Sequence, residues 1–355
     1  MRKALQLAER GRGHTSPNPM VGAVIVDRDG VLVGRGSHEF AGGPHAEVHA
    51  LTSAGAMARG ATLYCTLEPC SHAGRTGPCA PLVVQAGISR VVVATEDPNP
   101  VVAGRGLRLL RENAVEVTAG VLGEEAERLN RPFFKVMRAG RPFVTMKVAL
   151  SADRKVAGAA GERTQLTSEP ANRRIHRDRA ETDAIAIGSG TLLVDDPVLT
   201  ARGAYRTRPL TRVIFDARLR TPPSARVFTT LNAGPVIIVG SVAAADRDPA
   251  AARALVDAGA TVEVSPDGRL RTVLEMLAAR GVTALTVEGG PLLHQAFWDA
   301  GLVDRVQIYV TPVMLGDRGV RWLPFDVLAS PLVTELTSMA LGVDTLMEAY
   351  VHRTD

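Results

Sequence analysis

The stretch from Gly43 to Cys79 carries the residues best suited to chemistry. It reads Pro44-His45-Ala46-Glu47 and then Pro69-Cys70-Ser71-His72-Ala73-Gly74-Arg75-Thr76-Gly77-Pro78-Cys79. His45, Cys70 and Cys79 make three soft-to-borderline ligands, the number a catalytic Zn2+ takes while its fourth position stays open to water. A closed structural site would want a fourth protein ligand. Glu47, beside the first ligand, has the chemistry to move protons to and from that water.

Zinc nucleobase deaminases read H-x-E followed by P-C-x-x-C, with the glutamate outside the ligand set. Here eight residues separate the two cysteines instead of two. Proline is favoured in the first turn of a helix, so Pro44 and Pro69 predict that His45 and Cys70 each sit at a helix start. The positive end of the helix dipole favours an anion there and draws a cysteine toward thiolate. The i, i+2 spacing of His45 and Glu47 fits a helix start as well, because such residues point apart on a regular helix.

The elements that must position these groups alternate along the chain. Residues 1–11 read as a helix. Met20–Val26 and Val31–Gly34 read as strands joined by hairpin residues at Asp27–Gly30. A helix from His45 to Gly55, a strand from Ala61 to Leu67 and a helix from Pro81 to Ala86 follow. Then come a strand at Ser89–Thr95, a helix at Gly104–Asn113 and a strand at Val115–Thr118. Glu124–Arg138 reads as helical and as a connector, with a boundary at Gly140-Arg141-Pro142. The second half restarts with the apolar strand Phe143–Leu150. A helix at Glu169–Glu181 follows, with strands at Asp183–Gly188, Arg212–Asp216, Val236–Gly240, Ala284–Glu288 and Val306–Val310, and a helix at Pro291–Ala300. The Ala-rich tract at 243–260 reads as a loop and helix. Strands alternating with helices imply sheets covered by helices. The expected class is α/β in two domains, 1–121 and 142–355, with 122–141 between them.

Composition narrows the function classes. At 355 residues, two domains are the natural expectation. Hydrophobic content of 46% and charged content of 22% are those of a globular protein. No run of about 18 apolar residues predicts a membrane span, and the charged N-terminus lacks a signal-peptide core. Three cysteines, two of them claimed by a metal, give no disulfide framework and fit a reducing cytoplasm. Cys65 lies in an apolar run and reads as a buried structural thiol. A formal charge of +4 invites nucleic acid, but aromatics are only 4% and no stretch interleaves basic and aromatic residues. A small phosphorylated substrate suits that field equally well.

Two stretches of the second half could carry chemistry. Val287-Glu288-Gly289-Gly290-Pro291 runs strand, Gly-Gly, helix start, where exposed N–H groups suit a phosphate; an ordinary tight turn is the alternative. Asp195-Asp196-Pro197 reads as a turn. A functional role there requires an aspartate, with Arg202, to face a polar ligand.

These residues together resemble the bifunctional riboflavin-biosynthesis deaminase–reductase family over essentially the whole chain. The motifs are Asn18-Pro-Met-Val-Gly22, Pro44–Ala50, Thr66–Cys79 and Asp97–Gly106. Gly190-Thr191, Asp195–Thr200 and Glu288-Gly-Gly290 support the second half. The long cysteine spacing, with Ser-His and Gly-Arg-Thr inside it, separates this family from cytidine and tRNA deaminases.

The resemblance implies a cytidine-deaminase-like three-layer α/β/α domain followed by a dihydrofolate-reductase-like one. The first would replace the 2-amino group of a diaminopyrimidinone ribosylamino 5′-phosphate, releasing ammonia. The second would reduce the ribosyl chain to ribityl with NADPH. His45, Cys70 and Cys79 match the ligands of one Zn2+ per chain, and Glu47 matches the proton shuttle. Asn18, His38, Ser71, His72 and Arg75 match deaminase substrate contacts, Arg75 toward the 5′-phosphate. In the reductase half, Lys147, Arg163, Arg179, Asp195, Leu199, Arg202 and Glu288 match substrate positions. Ala149, Gln165, Thr191, Ala217, Gly290, Pro291, Leu292, Leu293 and His294 match cofactor positions. Arg163-Thr-Gln165-Leu-Thr departs from the family's Ser-x-Trp-Ile-Thr. That departure leaves one alternative, a deaminase whose second domain is a weak or non-catalytic binding module. The resemblance also leaves room for a homo-oligomer through the reductase domain.

Overall fold

The apolar run Gly22–Val26 forms a strand whose alternate residues serve two cores: Ala23 and Ile25 enter one, Val24 the other. A strand buried on both faces demands helices on both sides of its sheet. The structure, a computed structural model, describes residues 1–71, 77–100 and 102–352, and it divides into units Met1–Gly140 and Arg141–Asp355.

In the first unit the elements are α1 (Arg2–Ala8), β1 (Gly22–Val26), β2 (Leu32–Ser37), α2 (Ala46–Ala54), β3 (Thr62–Cys65), α3 (Cys79–Gln85), β4 (Arg90–Val93), α4 (Arg105–Glu112), β5 (Glu116–Ala119), α5 (Gly123–Leu129) and α6 (Arg131–Ala139). The sheet order is β2-β1-β3-β4-β5. The first three strands are antiparallel, and β3, β4 and β5 are parallel. Ala4 and Leu7 of α1 cover Val24. On the other face Ala46 and Ala50 of α2, Ala80 and Val83 of α3, and Leu107 and Leu110 of α4 pack on Leu63, Cys65, Val91 and Val93.

One close approach places the chemistry. A Cβ on Gly36 of β2 would lie 2.2 Å from the Ala46 carbonyl oxygen, so only glycine lets the start of α2 press against the strand. The segment expected to connect the domains is two helices that pack within the first unit. Asn130, between α5 and α6, accepts from the Met20 N–H at 2.7 Å and donates to its carbonyl at 2.9 Å, and Phe134 joins the core.

In the second unit the elements are β6 (Phe143–Leu150), β7 (Lys155–Ala157), α7 (Glu169–Glu181), β8 (Ala184–Gly188), α8 (Ser189–Asp195), β9 (Thr211–Phe215), β10 (Val236–Ser241), α9 (Val242–Arg247), α10 (Pro249–Asp257), β11 (Ala260–Ser265), α11 (Leu270–Ala279), β12 (Ala284–Val287), α12 (Pro291–Asp299), β13 (Arg305–Val310), β14 (Val320–Arg321), β15 (Val333–Leu341) and β16 (Asp344–Val351). A nine-stranded sheet runs β11-β10-β9-β8-β12-β6-β13-β16-β15. It is parallel from β11 to β13, and β16 and β15 are antiparallel additions at one end. Val144, Met146 and Val148 of β6 pack with α11 and α12, while Ile185 and Ile187 of β8 pack with Leu192 of α8 and Leu255 of α10.

Two local expectations are corrected here. The Asp195 region is not a simple turn: Ser189–Asp195 is helical, and Asp196 ends the helix in the left-handed conformation, φ 40°, before Pro197. The Ala-rich tract holds two helices, each started by a side chain that accepts from the backbone: Ser241 from the Ala244 N–H and Asp248 from the Ala251 N–H.

Candidate active site

His45 is the N-cap of α2, with extended backbone (φ −74°, ψ 160°), and Glu47 follows within the first turn. Because His45 is not yet helical, two residues only two apart serve one pocket. Cys79 is the first residue of α3, after Pro78 as N-cap. Cys70 does not start a helix as Pro69 suggested; it lies in the loop after β3. It reaches a helix start through space instead. The Cys79 N–H donates to the Cys70 sulfur at 3.3 Å, and the Ala80 N–H to the Cys70 carbonyl at 3.0 Å.

His45 Nδ1 lies 3.2 Å from Cys79 Sγ and 3.4 Å from Cys70 Sγ, and the three ligand atoms fall within 4.8 Å of one another. Tetrahedral zinc with Zn–S of about 2.3 Å and Zn–N of about 2.0 Å requires N···S separations of about 3.5 Å. The donor set therefore fits Zn2+ in both chemistry and spacing. The two thiols interact: the hydrogen bond with Cys79 draws Cys70 down to about 4, and the same contact, with burial, pushes Cys79 up. Cys65 is fully buried, which raises its thiol well above the usual range and keeps it protonated.

Glu47 is buried. Burial pushes its carboxyl up to about 7, against the pull of His45, its own N–H and the Cys79 thiol. A carboxyl near neutrality both takes and returns a proton efficiently. His45, Glu47 and Cys70 line a pocket of ≈ 370 Å3, with Asn18 and His38 on its wall.

The His38 ring is committed at both nitrogens. Nδ1 donates to the Pro44 carbonyl at 3.0 Å, so Nε2 accepts from the Asn18 amide at 3.1 Å. Burial lowers the pKa of His38 and keeps it neutral. His38 thus holds Asn18, which lines the pocket. Ser71 is half-buried beside Cys70. His72 and Arg75 lie outside the described residues. The pocket also includes Glu68, Asp97, Asn99 and Val102, to which the sequence reading gave no role. Their signal was the Asp97-Pro-Asn-Pro loop after β4, a polar loop hung on a rigid strand.

In the second unit, Ala149, Thr191, Ala217 and Glu288 stand at or just beyond the carboxyl ends of β6, β8, β9 and β12. That edge of an open parallel sheet is where ligands bind. Glu288 is held by Arg179 through two bonds, 2.7 and 2.8 Å, and by Lys147 at 3.7 Å. Burial alone would raise the Glu288 carboxyl, but Arg179 and Lys147 together hold it at about 2. The Lys147 ammonium, lowered chiefly by burial, lies 5.6 Å from the Tyr309 ring centre.

The other predicted positions separate by what they can offer. Burial raises Asp195, and the Arg163 charge opposes it. Arg202 is tied to His176, its N–H donating to Nδ1 at 3.1 Å. The Gln165 amide is spent on the Thr167 carbonyl at 3.1 Å. Leu199 is buried at φ 51°, so only its backbone is available. Gly290 caps α12 and Pro291 begins it. Leu292 is exposed, and Leu293 packs against Gly188 and Gly289. The His294 side chain does not face that edge. It is fully buried, with Nε2 bonded to the Val287 carbonyl at 3.1 Å and Nδ1 accepting from Trp322 at 2.9 Å. Any service to a ligand from this position comes from the backbone.

Comparison with known proteins agrees with this division. The profile of the cytidine and deoxycytidylate deaminase zinc-binding region matches residues 1–95, and that of the RibD C-terminal domain matches residues 142–347. The riboflavin biosynthesis protein RibD of Bacillus amyloliquefaciens is 42% identical over 318 residues, 89% of this chain and 84% of its own. RibD of Acinetobacter baumannii superposes with a TM-score of 0.89 at 36% identity, covering 99% of this chain and 98% of its own. A diaminohydroxyphosphoribosylaminopyrimidine deaminase/5-amino-6-(5-phosphoribosylamino)uracil reductase from Thermotoga maritima gives 0.85 at 33% identity, over 99% and 97%. With a triad able to hold a metal ion beside a buried glutamate in one unit and a charged strand-end cluster in the other, the chain belongs to the RibD family, the bifunctional deaminase–reductases of riboflavin biosynthesis.

Proposed function

We propose that the first unit converts 2,5-diamino-6-ribosylamino-4(3H)-pyrimidinone 5′-phosphate to 5-amino-6-ribosylaminouracil 5′-phosphate, and that the second reduces the ribosyl side chain of that product to ribityl with NADPH, in the cytoplasm. The observation that carries this reading is the convergence of His45 Nδ1, Cys70 Sγ and Cys79 Sγ beside a pocket that His45, Cys70 and Glu47 line.

His45, Cys70 and Cys79 would hold Zn2+, which when bound acidifies water. Glu47 takes the proton from the attacking water at its carboxylate and returns it to the departing amine, so that ammonia leaves. Asn18, oriented by His38, presents Oδ1 to a ring N–H. Arg75 is assigned to the 5′-phosphate, for which a guanidinium fork is suited. In the second unit NADPH supplies the hydride when bound. Lys147 and Arg179, with Glu288 as their counter-ion, orient the substrate at the strand ends, with Asp195, Leu199, Arg202 and Arg163 around them. Ala149, Thr191, Ala217, Gln165 and the Gly290–His294 segment receive the cofactor.

The test is an assay of both half-reactions on the purified chain, with metal analysis. Glu47→Gln keeps the shape but shuttles no proton. Ammonia release should fall roughly 100- to 10,000-fold with zinc retained, while NADPH oxidation with the deaminated substrate continues. Near-normal ammonia release would remove Glu47 from the mechanism. Failure of NADPH oxidation in the unaltered chain would leave the second unit as a binding module.

A further inference from the structure

Glu68 is a buried carboxylate that works without a cation among the described residues. Its partners are four backbone N–H groups. Oε2 accepts from Gly104 at 2.9 Å and Asp97 at 3.3 Å; Oε1 accepts from Gly106 at 2.8 Å and Leu107 at 3.3 Å. Three of these donors belong to the start of α4. An acceptor-only group with two oxygens suits four converging donors, and its charge strengthens each bond. The next residue makes the second contact with the same helix: a Cβ on Gly106 would lie 1.9 Å from the Pro69 carbonyl oxygen.

The segment fastened in this way is a wall of the pocket. Asp97, Asn99 and Val102 all line it. The segment is braced internally, with the Asn99 N–H donating to the Asp97 carboxylate at 2.9 Å and the Val102 N–H to the Asn99 carbonyl at 2.8 Å. Glu68 stands two residues before the metal ligand Cys70. One short stretch therefore carries both a proposed metal ligand and the anchor of this wall.

We infer that Glu68 is a positioning residue for deamination: its carboxylate fixes the wall formed by Asp97, Asn99 and Val102 in register with Cys70, so that Asn99 meets the substrate. The inference rests on the reading of this pocket as the deaminase site. It acts through distance alone and asks for no proton transfer by Glu68.

Glu68→Gln offers an NH2 where two N–H donors point, so the wall shifts while the ligands stay. A misplacement of about 1 Å costs up to about 100-fold. On the zinc-loaded full chain, the expected result is a roughly 10- to 100-fold rise in KM for the pyrimidine, with kcat nearly unchanged and one zinc retained. Asn99→Ala should raise KM comparably. The double variant should be no worse than the worse single one, because both act on one contact. Losses that multiply in the double variant, or an unchanged KM in Glu68→Gln, would overturn the inference. If Glu68→Gln does not fold, Gly106→Ala displaces α4 from Pro69 and must show the same non-additivity with Asn99→Ala. Amide exchange at Asp97, Gly104, Gly106 and Leu107 separates the two ideas. An unaltered chain that releases no ammonia sinks the pocket reading. Four deprotected amides with KM unmoved sink the role of Glu68.

Discussion

His38 Nε2 lies 3.1 Å from the Asn18 amide nitrogen, while His38 Nδ1 holds the carbonyl of Pro44, the residue before the proposed metal ligand His45. The imidazole is thereby a brace between Asn18 and the start of α2. His38→Ala should weaken kcat/KM for deamination by roughly 2- to 13-fold, the worth of one neutral hydrogen bond of about 0.5–1.5 kcal/mol. His38→Gln restores an acceptor and should recover most of the loss. Steady-state ammonia release measures both. A Gln variant as poor as the Ala variant would mean that the imidazole touches the substrate itself.

The three cysteines should separate cleanly by metal content. Cys70→Ser removes one of three ligands and should leave the chain without zinc and without ammonia release. Cys65 ends β3 and is covered by the helices, kept as a neutral thiol by burial. Cys65→Ser should keep one zinc per chain. Zinc loss from the Cys65 variant would overturn the ligand assignment.

Glu288→Gln tests the second unit. The change removes the carboxylate that Arg179 and Lys147 share, each side chain only 15% exposed, and breaking a buried pair costs about 3–5 kcal/mol. NADPH oxidation should collapse and urea stability should fall. Ammonia release, served by another unit, should persist. Unchanged NADPH oxidation in a folded Glu288→Gln chain would take Glu288 out of the reductase site.

His294 predicts how stability depends on pH. Burial holds its imidazole at about 4, below the ordinary 6.5. Between those values the unfolded chain binds a proton that the folded chain refuses. The contribution is complete above about pH 6.5 and is lost as pH falls toward 4. From pH 7 to pH 5 the loss is about 2 kcal/mol, since each unit is worth about 1.36 kcal/mol. Urea denaturation at both pH values should show that drop in the unaltered chain and a smaller one in His294→Gln. Equal drops would assign the titration to other groups.

The cluster of candidate metal ligands was legible because its information is local in type and spacing. His45, Glu47, Cys70 and Cys79 are residues whose chemistry differs from that of any filler, and the glutamate sits at a fixed offset from its ligand. The parallel strands were legible too, as short apolar runs between helical segments. Other elements were not. Ser189–Asp195 opens with Ser-Gly-Thr, poor helix formers, and is helical because Leu192 is buried in the core against the sheet. The strand Val333–Leu341 is mostly exposed at a sheet edge and carries no alternation to read; its pairing with Asp344–Val351 defines it.

What the amino-acid sequence determined by itself was the α/β class in two units and the set of His45, Cys70, Cys79 and Glu47 as candidates for one site. Tertiary structure decided which groups those residues meet. Pro69 suggested a helix at Cys70, yet the helix begins at Cys79 and reaches Cys70 across the loop. His38 resembled a substrate contact and is committed at both nitrogens to Asn18 and Pro44. His294 resembled a cofactor contact and is sealed beneath Trp322. Glu68 had no assigned role and gathers four N–H groups from residues 29 to 39 positions away. The physical reason is common to all four. Residue type states what a side chain can donate, accept or ligate, whereas its partner is set by which distant backbone the packing brings within about 3 Å.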